Sequence, residues 1–203
     1  SYMGGVVAAY QGQGVGRQLK LAQRDEALRL GFRLITWMYD PLESLNAHLN
    51  VGKLGAVCRT YHRHFHGDMG GINAGLPTDR FEVEWRLDSE PVLKKVKGEK
   101  RPLSLQSLIN QGAVLLNPAI ENAAGLPVPP EAAAIETPLA LIEIPTHFRA
   151  IKQQDAVLAE TWRYHSRQLF EKAFALGYSV TDFVYDRDGN GRYRACYVVN
   201  REQ

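Results

Sequence analysis

Twice in this chain an amphipathic stretch ends on a glycine that opens straight into an apolar run: "EALRLGFRLITWMY" around Gly31 and "KAFALGYSVTDFVY" around Gly177. A glycine just past the last helical turn adopts the left-handed conformation that stops a helix. The bulky, β-rich residues behind it read as strand. Helices that hand over to strands in this way bury their apolar stripe on a sheet, which points to an α/β or α+β layered fold.

The rest of the pattern fills in around these two junctions. Residues 2–9 are small and apolar and read as a strand, and residues 11–16 as a loop. The first helix is expected from about Val15 to Leu30, with Leu19, Ala22, Ala27 and Leu30 at helical spacing. A strand covers residues 32–39 and ends at Asp40-Pro41. A second helix is expected from about Leu42 to Leu54 with Gly55 as its stop, and a short strand over 56–66. Residues 67–79 are a Gly/Pro-rich loop. Phe81 to Leu87 alternates apolar and charged residues, the mark of a half-buried strand. Residues 89–138 read as irregular connection, with Pro127, Pro129 and Pro130 excluding helix. Leu139 to Ile144 is a strand. The longest helix runs from about Asp155, its N-cap, to Leu176, with Trp162, Leu169, Phe170 and Phe174 striping one face as core or as a contact between copies. Two strands, Tyr178–Tyr185 and Arg192–Val199, close the chain around the hairpin turn Asp188-Gly189-Asn190-Gly191. The expected units are therefore a core over 1–88, a connection over 89–138 and a C-terminal α+β extension over 139–203.

Composition removes several functions. The 24 basic and 22 acidic side chains leave a formal charge of +2, which gives no general attraction to nucleic acid or to an anionic membrane. Cys58 and Cys196 are far apart and neither sits in a CxxC pair, so neither a disulfide framework nor a thiolate zinc site is expected. A reducing, cytoplasmic compartment is the simplest setting. No apolar run approaches the roughly 18 residues of a spanning helix.

The function-bearing feature is "QGQGVGRQLK", from Gln11 to Lys20. A glycine-punctuated turn in front of a long helix points backbone N–H groups one way, and the helix dipole adds positive potential behind them, so the pair makes an anion site. Gly12, Gly14 and Gly16 let the backbone approach a phosphate without an intervening Cβ, and Arg17 adds charge. Gly16-Arg17-Gln18 lacks the Gly-Lys-Ser/Thr of a P-loop, and G-x-G-x-G is not the dinucleotide fingerprint G-x-G-x-x-G. The alternative is a plain strand–turn–helix connection, with glycines serving tight packing.

Gln11-x-x-Gly14-x-Gly16 resembles the Q/R-x-x-G-x-G/A motif of the GNAT superfamily of N-acetyltransferases. Strand, loop, long helix, glycine, strand, helix and "KLG" (Lys53-Leu54-Gly55) follow in that family's order, through "GLPTDRFEVEW". The chain also resembles a bacterial GNAT-like group with "DPL…NAHLN…LGA", "GLPTDR" and a C-terminal "GYSVTDFV" run. The resemblance implies a GNAT-like central mixed sheet flanked by helices, with a C-terminal helix and β-hairpin extension. It implies acetyl-CoA as co-substrate, an amine on a small molecule or peptide as acceptor, and no resident metal. Val6 and Val7 would lie on a strand beside pantetheine, Gln11, Gly12, Gln13, Gly14, Val15 and Gly16 would hold the pyrophosphate with Arg17 assisting, and Asn46 would bond CoA from the second helix.

Two departures bear on activity. The family's acid, a Tyr shortly before "KLG", aligns here with Val51, preceded by Asn50, and Tyr61, Tyr39 or His48 are the available substitutes. The family's first strands precede a segment like "SYMGGVV", so an N-terminal portion is expected beyond this sequence. For a general base the candidate is Asp40, at the end of the Trp37 strand. Glu82 and Glu84, on one strand face, are weaker candidates against an ordinary ion-paired role.

Three other clusters have plain readings beside their functional ones. His62, His64 and His66 share a strand face, and with Asp68 would suit zinc, but are otherwise surface histidines. "DRDGNG" imitates an EF-hand start, yet has Tyr197 where the twelfth-position Glu belongs and reads as a hairpin turn. Lys94, Lys95, Lys97, Lys100 and Arg101 form a basic run that suits a CoA phosphate or an acidic partner, or a solvated loop.

Overall fold

The computed structural model describes residues 6–10, 12–65, 67, 76–99 and 103–201. Among these, α1 (Val15–Arg29), β1 (Leu34–Tyr39), α2 (Ser44–Ala47), β2 (Val57–His62), β3 (Arg80–Arg86), α3 (Glu90–Val96), α4 (Leu105–Asn110), β4 (Val114–Leu115), β5 (Ile120–Glu121), β6 (Pro127–Val128), β7 (Leu139–Ile144), α5 (Phe148–Gln154), α6 (Ala156–Ala175), β8 (Ser179–Arg187) and β9 (Tyr193–Asn200) follow in order. The fold is mixed α/β. Seven strands form one mixed sheet in the order β1-β3-β2-β8-β9-β7-β4, and β5 pairs separately with β6. Neighbours in the large sheet are antiparallel except β4 and β7.

The elements read from glycine stops and period-2 alternation occur where expected. Gly31 (φ 85°), Gly55 (φ 76°) and Gly177 (φ 81°) are left-handed at helix ends. Phe81, Val83 and Trp85 of β3 are fully buried while Glu82 and Glu84 between them are not. Asp155 caps α6, its carboxylate accepting from the Leu158 amide at 2.9 Å. The Asp188–Gly191 turn closes on itself, with Asp188 Oδ1 accepting from the Asn190 and Arg192 amides.

Three expectations are corrected. Val6 and Val7 are not in a strand, and Ala8–Tyr10 is a 3₁₀ turn, because the glycine-rich segment behind them already bends the chain; residues 2–5 lie outside the described residues. Residues 89–138 are not an irregular connection: they hold α3, α4 and three short strands. Ser89 and Ser104 sit at the two helix N-caps, and these helices are too short for periodicity to reveal. The second helix is not uniformly α, for after α2 the backbone widens into a π-helical turn over His48–Lys53.

The core lies mainly under α6. Phe81 packs edge-on against Tyr39, Tyr61, Phe170 and Tyr197 with ring centroids 4.7–5.9 Å apart, the geometry aromatic quadrupoles prefer. The Tyr39 and Tyr197 hydroxyls hydrogen-bond each other at 3.1 Å, and Tyr197 donates to the Pro41 carbonyl. A second cluster uses the alternate residues of the late strands: Leu141, Val184, Cys196 and Val198 pack against Leu105 and Leu108 of α4. Cys58 belongs to the first cluster and Cys196 to the second, and both thiols are free and fully buried. The strands of 139–203 continue the same sheet as those of 34–86, joining it at Cys58↔Val180.

Candidate functional site

The turn before α1 has the backbone its glycines suggest. Gly12 (φ 76°) and Gly14 (φ 79°) are both left-handed, and a Cβ on either would meet no atom within 4 Å. Gly14 is the N-cap and supplies no side chain, and the first turn of α1 carries no acidic residue. The helix N-terminus therefore has neither an N-cap side chain nor a first-turn carboxylate to offset its dipole. Gly16 is different: a Cβ there would lie 3.5 Å from Leu49 and 3.9 Å from Val6, so it seats α1 against the π-helical turn and keeps Val6 beside the loop. Val7 and Gln13 are exposed, Gln13 Nε2 donating to the Ala9 carbonyl at 2.9 Å. Val15 is half-buried. Arg17 does not stand loose at the rim: its Nη2 donates to the Val96 carbonyl at 2.8 Å, closing the C-terminal end of α3. Asn46 is exposed on α2. Gln11 lies outside the described residues.

The other candidates meet at the C-terminal end of β1, in an ion cluster. Arg163 grips Asp40 with both Nη atoms, at 2.9 and 2.6 Å. The Leu42 amide donates to Asp40 at 2.9 Å, and Arg80 lies 3.8 Å away. Burial pushes the Asp40 carboxyl up, but the Arg163 charge and hydrogen bonds, the Leu42 amide and the Arg80 charge outweigh it and hold Asp40 below its ordinary value. Beside it Asp79, fully buried, accepts from Arg167 through two nitrogens at 2.8 and 2.9 Å and from the Tyr61 hydroxyl at 2.7 Å. Burial, and then the Asp79 charge, push the Tyr61 phenol far above its ordinary value. Asp40 is thus a poor proton acceptor and Tyr61 a poor donor near neutral pH.

Among the described residues Arg163 Nε is buried without an acceptor, an arrangement that costs about 1–3 kcal/mol. Arg163 also lines a small polar cleft of about 10 Å³ with Asp40, Leu76, Pro77, Thr78, Arg80 and Lys152. That is room for one water-sized atom. Burial holds the Lys152 ammonium below its ordinary value.

The remaining candidates are dispersed. His48 opens the π-helical turn, edge-on to Phe183 and Tyr185, with Nδ1 buried and without a partner among the described residues. Burial, then the charge of Lys53, lowers its pKa. Asn50 and Val51 are buried in the same turn. Tyr39 is in the core. Glu82 pairs with His62 at 3.0 Å, and Glu84 with Arg86 and Arg59. His66, Asp68, Lys100 and Arg101 lie outside the described residues. Lys94 pairs with Glu90, but Lys95 is buried: it donates to the Val51 carbonyl and to Asp182, each at 2.8 Å. It thereby ties α3, the π-helical turn and the irregular stretch of β8 between Val180 and Asp182.

Arg163, Arg167, Asp79 and Arg80 were not singled out from the sequence, although a signal existed. Arg163 and Arg167 fall among Ala159, Trp162, Ser166 and Phe170, positions where the helical period demands burial. Cations on an apolar stripe require carboxylates opposite them. Comparison with family models, with curated proteins and with solved structures finds no match for this chain.

Proposed function

We propose that the protein is an acyl-CoA-dependent N-acyltransferase with a GNAT-like sheet, moving an acetyl group from acetyl-CoA to an amine in a cytoplasmic setting. The observation that carries this reading is the Gly12–Arg17 segment. Two left-handed glycines with open space above them lead into a 15-residue helix whose N-terminus has no side-chain cap. Such a terminus suits a pyrophosphate. The amine nitrogen would bond to the thioester carbonyl carbon as the C–S bond breaks, CoA leaving as its thiol with a proton that the amine gives up. With Asp40 and Tyr61 engaged as they are, catalysis would rest on positioning and on polarising the carbonyl rather than on a strong internal base.

Titrating acetyl-CoA calorimetrically into the protein and into Gly14→Glu tests it. Saturable binding that the variant abolishes is the expected result, because the new carboxylate would occupy the phosphate position. Absence of binding to the folded protein overturns the reading and returns the loop to a structural turn. Competition between CoA and ATP identifies the ligand.

A second reading is a non-catalytic acyl-CoA-binding or protein-interaction module. It is favoured by one observation: both candidate proton carriers, Asp40 and Tyr61, are committed to buried partners. Thiol release with a panel of amines separates the two readings.

A further inference from the structure

The ion cluster is more than a structural clamp at one point. Asp40 is matched by Arg163 and Asp79 by Arg167. Yet the cleft beside them is lined by three cationic side chains, Arg80, Lys152 and Arg163, and a single carboxylate, Asp40. Arg80 is half-buried. Its Nη1 donates to the Asp79 carbonyl at 2.8 Å, and Asp40 is 3.8 Å away, beyond hydrogen-bond reach. The guanidinium fork thus keeps donors for another acceptor. Arg163 Nε, sealed from solvent, is a second donor without an acceptor among the described residues. Arg163 is fixed by Asp40 and by the Phe148 ring 5.4 Å from its guanidinium carbon, so the cleft's charge is held in place before any ligand arrives. Leu76 and Pro77 give the remaining wall apolar surface, and the Thr78 hydroxyl donates to the Gly67 carbonyl.

We propose that this cleft is the seat of a carboxylate on the ligand. One carboxylate oxygen enters the space of about 10 Å³, and the Arg80 fork and the Lys152 ammonium take the group at its mouth. Planar guanidinium donors suit a carboxylate edge, and a surplus of fixed cations in a part-buried pocket compensates the desolvation of an anion. Resting on the acyltransferase reading, the substrate class follows: an amine that also bears a carboxylate. Asp40 then has a role other than base, since it holds Arg163 at the wall of the cleft.

The test uses succinate as probe, with neutral succinamide and inorganic phosphate alongside, on the intact protein and on Arg80→Gln and Lys152→Gln. Binding is followed calorimetrically, and the fold of each variant by circular dichroism and urea titration. The expected result is saturable succinate binding, at least tenfold tighter than succinamide, weakened at least tenfold by Arg80→Gln and several-fold by Lys152→Gln in folded protein. Lys152→Gln, at the cleft's half-buried edge, keeps the test decisive if Arg80→Gln does not fold. Succinate binding untouched by the folded variants overturns the proposal, as does binding of phosphate in preference to succinate. Succinate binding without acetyl-CoA binding would leave the seat standing and remove the acyltransferase reading. Acetyl-CoA binding without succinate binding would do the reverse.

Discussion

Arg163 shows what a single charge inside an apolar stripe commits a protein to. Its side chain is 3% exposed and its partner Asp40 17% exposed, so removing the cation leaves a carboxylate with little water to replace it. Arg163→Ala is expected to cost about 3–5 kcal/mol in urea unfolding. Arg63→Ala breaks an ion pair of equally good geometry with Glu171, but Arg63 is 60% exposed, and its loss should shift the urea midpoint far less than Arg163→Ala does. Buried titratable groups set the response to acid. Burial holds the pKa of His48 and of His165 below its ordinary value. Their folded pKa lies below the unfolded value of about 6.5, so the unfolded chain takes up more protons below that pH and stability falls as pH drops through it. Asp40, held below its ordinary value against the opposing effect of burial, adds stability present above about pH 4 and lost as pH falls further. Urea midpoints from pH 8 to 3 should therefore decline in two stages, and Asp40→Asn should blunt the second. These charged partners were the least legible part of the sequence. A carboxylate at 40 and a cation at 163 carry no local mark of each other, and only the fold brings them within bonding distance.

Glycines separate cases that the chain alone does not. Gly12 and Gly55 have the same φ, 76°, but a Cβ at Gly12 meets nothing, while at Gly55 it would lie 3.1 Å from Lys95 Cδ and 3.5 Å from Val92 Cα. Alanine at either should cost about 1–2 kcal/mol for the left-handed backbone. At Gly55 a further loss is expected, because Lys95 cannot yield without disturbing its bonds to Val51 and Asp182. Thermal melts of the two variants compare the two costs directly. Asp155→Ala removes the cap of α6 and should cost about 1 kcal/mol. Elements with a strong period or a clear stop were legible: α1, β1, β3, β7, α6 and the β8–β9 hairpin. What was missed was short or irregular. α3 and α4 have 7 and 6 residues, too few turns to show a period, and the π-helical turn, in which a notional Cβ on Gly52 would lie 3.4 Å from the Phe183 carbonyl, rests on a contact between residues far apart in sequence.

Across the described residues, the strands of 34–86 and those of 139–200 share one sheet. β2 lies between β3 and β8, and the Phe81 ring touches residues from β1, β2, α6 and β9. A chain ending at residue 138 would lose α6 and β7–β9 and leave Phe81, Tyr39 and Tyr61 without most of their packing. Such a truncation is expected to lack a cooperative melt, whereas the whole chain should unfold in one transition by near- and far-ultraviolet circular dichroism alike. The placement of the two thiols allows a sharper version of that experiment. Cys58 and Cys196 lie in different core clusters, and burial drives both thiols well above their ordinary pKa, so a thiol-reactive dye can reach them only when the protein opens. The molecule thus carries two internal stopwatches. Equal labelling rates at both sulfurs would mean that the layers come apart together, and unequal rates would name the one that lets go first.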